Sequence, residues 1–339
     1  MSSVADRTRS RVVVVGASGF AGAIAAALVW RHPQLELAAV TAREDAGRPL
    51  RELYPHHRVP LVLEEFDAER AAQADAAIVA YPHGSAAPVV AALLERGVRV
   101  VDLSADFRLR DVATYERWYV PHPHPELIGR AVYGLTELYR EQIAGAQLVA
   151  CPGCFPTAAI LALAPLARAG LVADVVIDAK TGVSGAGKKP TETTHFVSVD
   201  ENVRPYGVGG HRHMPEIDQE LGALGAPVPI PFTPHLVPLD QGELVSCYVR
   251  PARELDAAEL AELYRCSYGE EPFIELVERP PGVRDVRETN ICAIHVHADE
   301  RTGRLLVFAA IDNLWKGTAS QAIANLNLMF GLDERTGLA

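Results

Sequence analysis

Cys154 is the residue whose surroundings best suit covalent chemistry. It stands in Cys151-Pro-Gly-Cys154-Phe-Pro-Thr157, between an apolar run ending at Ala150 and an apolar helical pattern from Pro156 to Arg168. A thiol beside a helix N-terminus meets free N–H groups and the positive end of the dipole, both of which favour thiolate. The same N–H groups can hold an oxyanion on a tetrahedral adduct, and a thiolate is the nucleophile suited to thioester formation. Other readings stand beside this one. Cys-x-x-Cys also fits a dithiol redox pair on Cys151 and Cys154 or half of a zinc site, and buried inert cysteine is common. No second Cys-x-x-Cys occurs, and Cys247, Cys266 and Cys292 are dispersed in strand-like or helix-like stretches.

A second dense cluster runs from Asn202 through Gly210-His211-Arg-His213-Met-Pro-Glu216. Pro215, Glu216, Ile217, Glu220 and Leu221 read as the start of an amphipathic helix. A histidine just before such a helix is disfavoured as imidazolium, which makes His211 and His213 candidate bases. His-x-His also suits metal ligation. No partner stands nearby at ligand spacing, and His195, His235, His295 and His297 are scattered, so no metal is expected.

The third element is Gly16-Ala-Ser18-Gly19-Phe20-Ala-Gly22, directly after the apolar run Arg11 to Val15 and before a helical pattern. Glycines at a strand–turn–helix junction let a pyrophosphate approach the helix N-terminus. The spacing differs by one from the usual dinucleotide fingerprint, and the context carries the assignment. An NAD-selective site usually ends the next strand in Asp or Glu to hold the ribose hydroxyls. Here the strand ends Val40-Thr41-Ala42-Arg43, so a hydroxyl and a guanidinium point to NADP(H), with Arg43 as a plain surface charge the alternative.

The elements that position these residues alternate. Strands are expected at 11–15, 35–41, 76–80, 98–103 and 147–150, with helices at 23–31 and 84–96 between them. Short continuous apolar runs of this kind suit a parallel sheet buried on both faces. Beyond Cys154 the pattern changes to strands at 175–179, 244–249, 290–297 and 304–309, several with period-two alternation. The polar Gly/Pro-rich stretch from Gly182 to Gly210 reads as binding loops. The fold class is therefore α/β: a Rossmann-type dinucleotide-binding domain over 1–152, then an α+β catalytic and dimerisation domain with a mixed sheet over 153–317. A C-terminal helix within about 318–339 is expected to return to the first domain.

Composition is consistent with this. The 339 residues are 49% hydrophobic and 22% charged, with a net charge of −11. Such a charge argues against nucleic acid or an anionic membrane as partner. No apolar run is long enough to span a bilayer, and the polar start Met1–Arg7 is unlike a signal peptide. Five cysteines without regular spacing suit a reducing cytoplasm.

Together these segments resemble the N-acetyl-gamma-glutamyl-phosphate reductase family of the aspartate-semialdehyde dehydrogenase superfamily. The resemblance is carried by Gly16–Gly22, Leu103-Ser-Ala-Asp-Phe-Arg-Leu109, Tyr133-Gly-Leu-Thr-Glu137 and Val149–Ala158. Ser184-Gly-Ala-Gly187, Glu201–Glu216, Phe232–Pro238 and Ile311-Asp-Asn-Leu-Trp-Lys-Gly317 complete it, so that it spans residues 11 to about 334. It implies an NADPH-dependent acyl-phosphate reductase of arginine biosynthesis, with Cys154 as nucleophile and His213, before His211, as base. It further implies that Ser104 and Arg108 bind substrate or phosphate, and that Ser184, Gly185, Gly187 and Asn313 line the cofactor site. A small-molecule acyl phosphate as substrate and a homodimer or homotetramer follow from the same likeness. The chain departs from the family pattern at Cys151, where asparagine is usual, and at Thr136, where proline is commoner. A sister group reduces a carrier-bound aminoadipyl or glutamyl phosphate, and Phe155-Pro156 favour the free substrate over that alternative.

Overall fold

The computed structural model describes residues 9–338, so the polar segment Met1–Arg7 lies outside the described residues. The chain divides into two compact units. One holds the described residues up to Arg110, Pro121–Cys151 and the described residues from Ala322; the other holds Asp111–Val120 and Pro152–Gln321.

The first unit is built on seven strands: β1 (Ser10–Val15), β2 (Leu35–Thr41), β3 (Leu63–Glu64), β4 (Ala76–Val79), β5 (Arg99–Asp102), β6 (Val132–Tyr133) and β7 (Leu148–Ala150). Their order is β3-β2-β1-β4-β5-β7-β6, and every pairing is parallel. Val12 to Val15 and Ala76 to Val79 are almost fully buried, as the central strands of a sheet covered on both faces must be. The connecting helices are α1 (Phe20–Arg31), α2 (Leu50–Leu53), α3 (Ala68–Ala71) and α4 (Ala87–Glu95). The order reverses beside β1, and in open parallel sheets a ligand crevice forms at that switch point, outside the strands' carboxyl ends.

Helix α5 (Val112–Trp118) belongs to the second unit, whereas α6 (Thr136–Ala144) lies in the first. The second unit is centred on α7 (Cys154–Arg168) and a mixed sheet. Its strands are β8 (Val172–Thr181), β9 (Arg204–Pro205), β10 (Phe232–Leu236), β11 (Glu243–Pro251), β12 (Ile274–Leu276), β13 (Cys292–Asp299) and β14 (Arg304–Ile311), in the order β12-β13-β14-β11-β8-β10-β9. Four pairings are antiparallel; β8–β10 and β12–β13 are parallel. Burial alternates along β8, with Val175, Ile177 and Ala179 inward. Helices α8 (Phe196–Val199), α9 (Met214–Ala223) and α10 (Ala257–Tyr268) complete this unit, and α11 (Ser320–Met329) continues the chain into the first.

Three elements differ from expectation. α7 begins at Cys154 rather than Pro156, because a proline in the first turn lacks only an N–H that has no helical partner anyway. Pro165 lies inside the same helix, where its missing N–H cannot reach the Leu161 carbonyl; the Tyr268 hydroxyl donates to that oxygen instead, at 2.7 Å. The terminal helical pattern is preceded by a wide turn of π type over Trp315–Ala319. The Gly182–Gly210 stretch contains short elements, a 3-10 turn at Val183–Ala186, α8 and β9.

Candidate active site

In the second unit, Gly153 is the N-cap of α7 and Cys154 its first residue, partly exposed, with no side-chain cap and no acidic residue in the first turn. The dipole and free N–H groups at that end are therefore not offset locally by an acid on the helix. Two glycines let other segments approach this turn. A Cβ on Gly153 would lie 2.5 Å from His213 Nε2, so the imidazole rests against the Gly153 backbone. A Cβ on Gly317 would lie 2.7 Å from the Cys154 Cβ, so the Trp315–Ala319 turn presses on the cysteine from another side.

The His211–His213 segment is fixed by its own helix and by an aromatic cluster. His213 is the N-cap of α9, and its backbone N–H donates to His211 Nδ1 at 3.1 Å. The His211 ring packs edge-on to Phe155, Tyr206, Phe232 and His213. Burial in this cluster, and secondarily the Arg212 charge, lowers its pKa to about 4. Desolvation, rather than the helix dipole that the sequence suggested, keeps that ring neutral. It is His213 whose ring meets the residue before the nucleophile candidate.

Two carboxyls complete this region that sequence reasoning did not single out. Glu216, known there only as part of a helix start, is buried and accepts the Gly153 N–H at 2.9 Å, fixing the turn that carries Cys154. Glu243, the first residue of β11, is fully buried, with no hydrogen-bond partner for either oxygen among the described residues, and burial pushes its pKa up to about 8. Nothing in its local sequence marks it. Near them, the Asn313 amide donates to Ser184 Oγ at 3.1 Å and accepts the Gly242 N–H at 2.7 Å. Gly185 lies beside this pair, and Gly187 takes a φ of +87° that suits glycine. The structure thus brings together Ser184, Gly185 and Asn313 in one loop junction.

In the first unit, Gly16 has φ +86°, and a Cβ there would meet the Ala80 carbonyl oxygen at 2.8 Å and Tyr81 at 2.9 Å. A Cβ on Gly22 would fall 2.3 Å from the Gly16 oxygen, so this glycine permits the close packing of α1 on β1. Gly19 caps α1 without a side chain, and the first turn carries no acid. Phe20 opens the helix, and the Ser18 carbonyl accepts from the Tyr54 hydroxyl at 2.9 Å. The Gly16 and Ala17 N–H groups both donate to the Thr41 carbonyl. The Thr41 hydroxyl is buried with no hydrogen-bond partner among the described residues. Arg43 stacks over Tyr81 at 4.5 Å, on a cleft of about 360 Å³ also lined by Ala42, Glu65, Phe66 and Val89. An uncapped helix start, an orphaned hydroxyl and a guanidinium beside an open cleft fit a phosphorylated dinucleotide.

The Ser104–Arg108 turn is a tight internal network. The Ser104 hydroxyl donates to Asp102 at 2.6 Å, and Arg108 donates from Nε to the Cys151 carbonyl and from Nη2 to the Leu103 carbonyl. Asp106 accepts the Gly84 and Ala87 N–H groups at the start of α4. Burial raises the Asp102 pKa to about 7. The Cys151 thiol is fully buried and accepts from the Asn325 amide at 3.3 Å, which argues against its cycling in a dithiol pair. Among the described residues no cluster of three His, Cys, Asp or Glu is arranged to hold a metal ion, and no helix is long and apolar enough to cross a membrane.

Residues 11–146 match the NAD-binding domain of semialdehyde dehydrogenases, and residues 154–313 match the semialdehyde dehydrogenase dimerisation domain. The two matches together place the chain in the semialdehyde dehydrogenase class. Aspartate semialdehyde dehydrogenase II of Vibrio cholerae shares the fold, with a TM-score of 0.74, 20% identity and coverage of 96% of this chain and 99% of that one. So does aspartate semialdehyde dehydrogenase of Candida albicans, whose structure contains NADP, at a TM-score of 0.69 and 16% identity over 95% of this chain and 99% of that one. N-acetyl-gamma-glutamyl-phosphate reductase of Desulforudis audaxviator is 50% identical over 97% of both chains, and that of Geotalea daltonii is 47% identical over 97% of both. The chain belongs to the N-acetyl-gamma-glutamyl-phosphate reductase family.

Proposed function

We propose that this protein reduces N-acetyl-gamma-glutamyl phosphate to N-acetyl-glutamate 5-semialdehyde with NADPH, in arginine biosynthesis, through a thioester on Cys154. The observation that carries the reading is the thiol at the first position of α7, with His213 on the preceding glycine. The helix start favours thiolate and offers N–H groups to the oxyanion of the tetrahedral adduct. Attack on the gamma-carbonyl expels phosphate, a good leaving group, and leaves the acyl group on sulfur. His213 moves the proton at the adduct oxygen, and Glu216 holds the turn in place.

Gly16, Ser18, Gly19, Phe20 and Gly22 would hold the pyrophosphate end of NADPH, with Thr41 and Arg43 at the adenosine ribose and its 2′-phosphate. Ser184, Gly185, Gly187 and Asn313 would serve its other end, and Ser104 and Arg108 the substrate phosphate. When bound, NADPH supplies the hydride that brings the acyl group to the aldehyde level. The first unit would serve as the cofactor domain, and the second, which includes Asp111–Val120, as the catalytic and oligomerisation domain, in a cytoplasmic homodimer or homotetramer. The testing experiment runs the reaction backwards: phosphate-dependent reduction of NADP with N-acetyl-glutamate semialdehyde. Absence of that activity in the folded protein would refute the assignment.

A further inference from the structure

Three strand ends meet around the glycine turn of the first unit. Gly16 follows β1, Arg43 comes after β2 on one side, and Tyr81 comes after β4 on the other, where the strand order reverses. The Ala80 N–H donates to the Val15 carbonyl at 2.8 Å, which fixes the backbone just before Tyr81. A Cβ on Gly16 would meet Tyr81 Cδ1 at 2.9 Å, so glycine lets the tyrosine ring lie this close to the turn. The ring is buried, and the Arg43 guanidinium rests over its face, 4.5 Å from the centroid. The Tyr81 hydroxyl is buried with no hydrogen-bond partner among the described residues, so the ring, not the hydroxyl, makes the contacts. Arg43 is itself exposed, and its guanidinium makes no hydrogen bond or ion pair among the described residues. Even Glu65, which lines the same cleft, is not paired with it. A carboxylate partner would offset the guanidinium charge and occupy its in-plane donors. A ring face restrains the side chain from one side and leaves all the N–H donors and the charge for a ligand.

We propose that Tyr81 helps determine the preference for NADPH over NADH, as a positioning residue that acts through Arg43. Its ring holds the guanidinium at the cleft before the cofactor arrives. The donors can then engage a phosphate monoester on the adenosine ribose with less further loss of side-chain freedom. A ribose without that phosphate offers the guanidinium no dianion, and the ring then gives no advantage. The inference rests on the NADPH reading above and on the place given there to Arg43.

The test is the binding of 2′,5′-ADP against 5′-AMP by titration calorimetry, which reads the adenosine end alone and needs no turnover. The unaltered protein should bind 2′,5′-ADP more tightly. Tyr81→Leu should narrow that ratio about fivefold, the factor an exposed cation–π contact supports, with 5′-AMP affinity unchanged. Tyr81→Phe, which keeps the ring, should hold the ratio to within about twofold of the unaltered protein. In an Arg43→Ala background, Tyr81→Leu should change the ratio by less than about twofold, because the two side chains act as one unit. Should Tyr81→Leu not fold, Tyr81→Met, apolar and without a ring, takes its place with the same expected ratios. A ratio unchanged in Tyr81→Leu, an equal loss for both nucleotides, or an undiminished effect without Arg43 would overturn the proposal. Equal affinities of the unaltered protein for the two nucleotides would instead overturn the underlying NADPH reading, whereas a preference that depends on Arg43 and not on Tyr81 removes only the role of Tyr81.

Discussion

Replacing Gly153 by alanine tests whether the contact between the nucleophile turn and His213 sets the rate. The backbone of Gly153, at φ −67° and ψ 157°, accepts alanine without strain, so the effect should come from the methyl group. That methyl would stand 2.5 Å from Nε2, 2.7 Å from Cε1 and 2.9 Å from Cδ2 of His213. Ordinary contact begins near 3.4 Å, so the ring must retreat by about 0.9 Å. The opposing atoms belong to a side chain held at the start of α9, not to a freely moving terminus. A displacement of about 1 Å in a catalytic group costs about 100-fold in rate, which is about 2.7 kcal/mol on the barrier. Steady-state NADP reduction with semialdehyde and phosphate should therefore show kcat lowered about 100-fold. NADPH binding, measured by fluorescence, and the cooperative thermal transition should persist. If kcat stays within about threefold of the unaltered enzyme while His213→Asn is severely impaired, the contact does not position the base.

His213→Asn should lower turnover by about two to four orders of magnitude with NADPH binding retained, and His211→Asn should cost less; the reverse order would move the base to His211. Cys154→Ser should abolish reduction, whereas Cys151→Ala, which removes a buried thiol held by Asn325, should keep substantial activity; an obligatory disulfide during turnover would defeat covalent catalysis. Arg43→Ala should narrow the preference for NADPH over NADH by roughly 1–3 kcal/mol in binding titrations, and equal affinities in the unaltered protein would remove Arg43 from the 2′-phosphate site. Because the folded-state pKa of Glu243 is raised, the folded protein holds a proton that the unfolded chain releases above its ordinary carboxyl pKa. Its stabilising share is present in acid and is lost as pH rises toward about 8. Glu243→Gln, which does not titrate, should gain stability relative to the unaltered protein on the order of 1.4 kcal/mol per pH unit at most across that window, read from denaturant unfolding.

Local signals made much of this molecule legible before its structure. β2 runs over Leu35–Thr41 as its apolar pattern indicates, and continuous valines marked β1 as a strand buried on both faces. The glycines at 16 and 22 announced a close approach, and the structure supplies the atoms approached, the Ala80 carbonyl and the Gly16 oxygen. Among the elements not seen are α10, whose buried Leu260, Tyr264 and Tyr268 recur at helical spacing among charged residues, and β12, which has only three residues. Pro165 illustrates a different failure, since its tolerance depends on a tyrosine hydroxyl more than 100 positions away.

The same limit explains what was and was not readable around Cys154. A nucleophile beside a helix start is a local property, written in Pro-Gly-Cys-Phe-Pro, and a base before another helix is local in the same sense. The groups that adjust them are not. Glu216 reaches Gly153 across 63 positions, and the Gly317 turn and Glu243 arrive from β14 and β11. Each is an ordinary residue type in an ordinary local pattern; only tertiary packing removes its water and sets its neighbours. Glu216 keeps a backbone N–H as its partner and so acts on geometry. Glu243 has no hydrogen-bond partner for either oxygen among the described residues, and burial, with Asp312 adding to it, raises its pKa. The difference between a carboxyl that fixes a turn and one left without a partner is therefore set by tertiary packing, which no spacing in the sequence encodes.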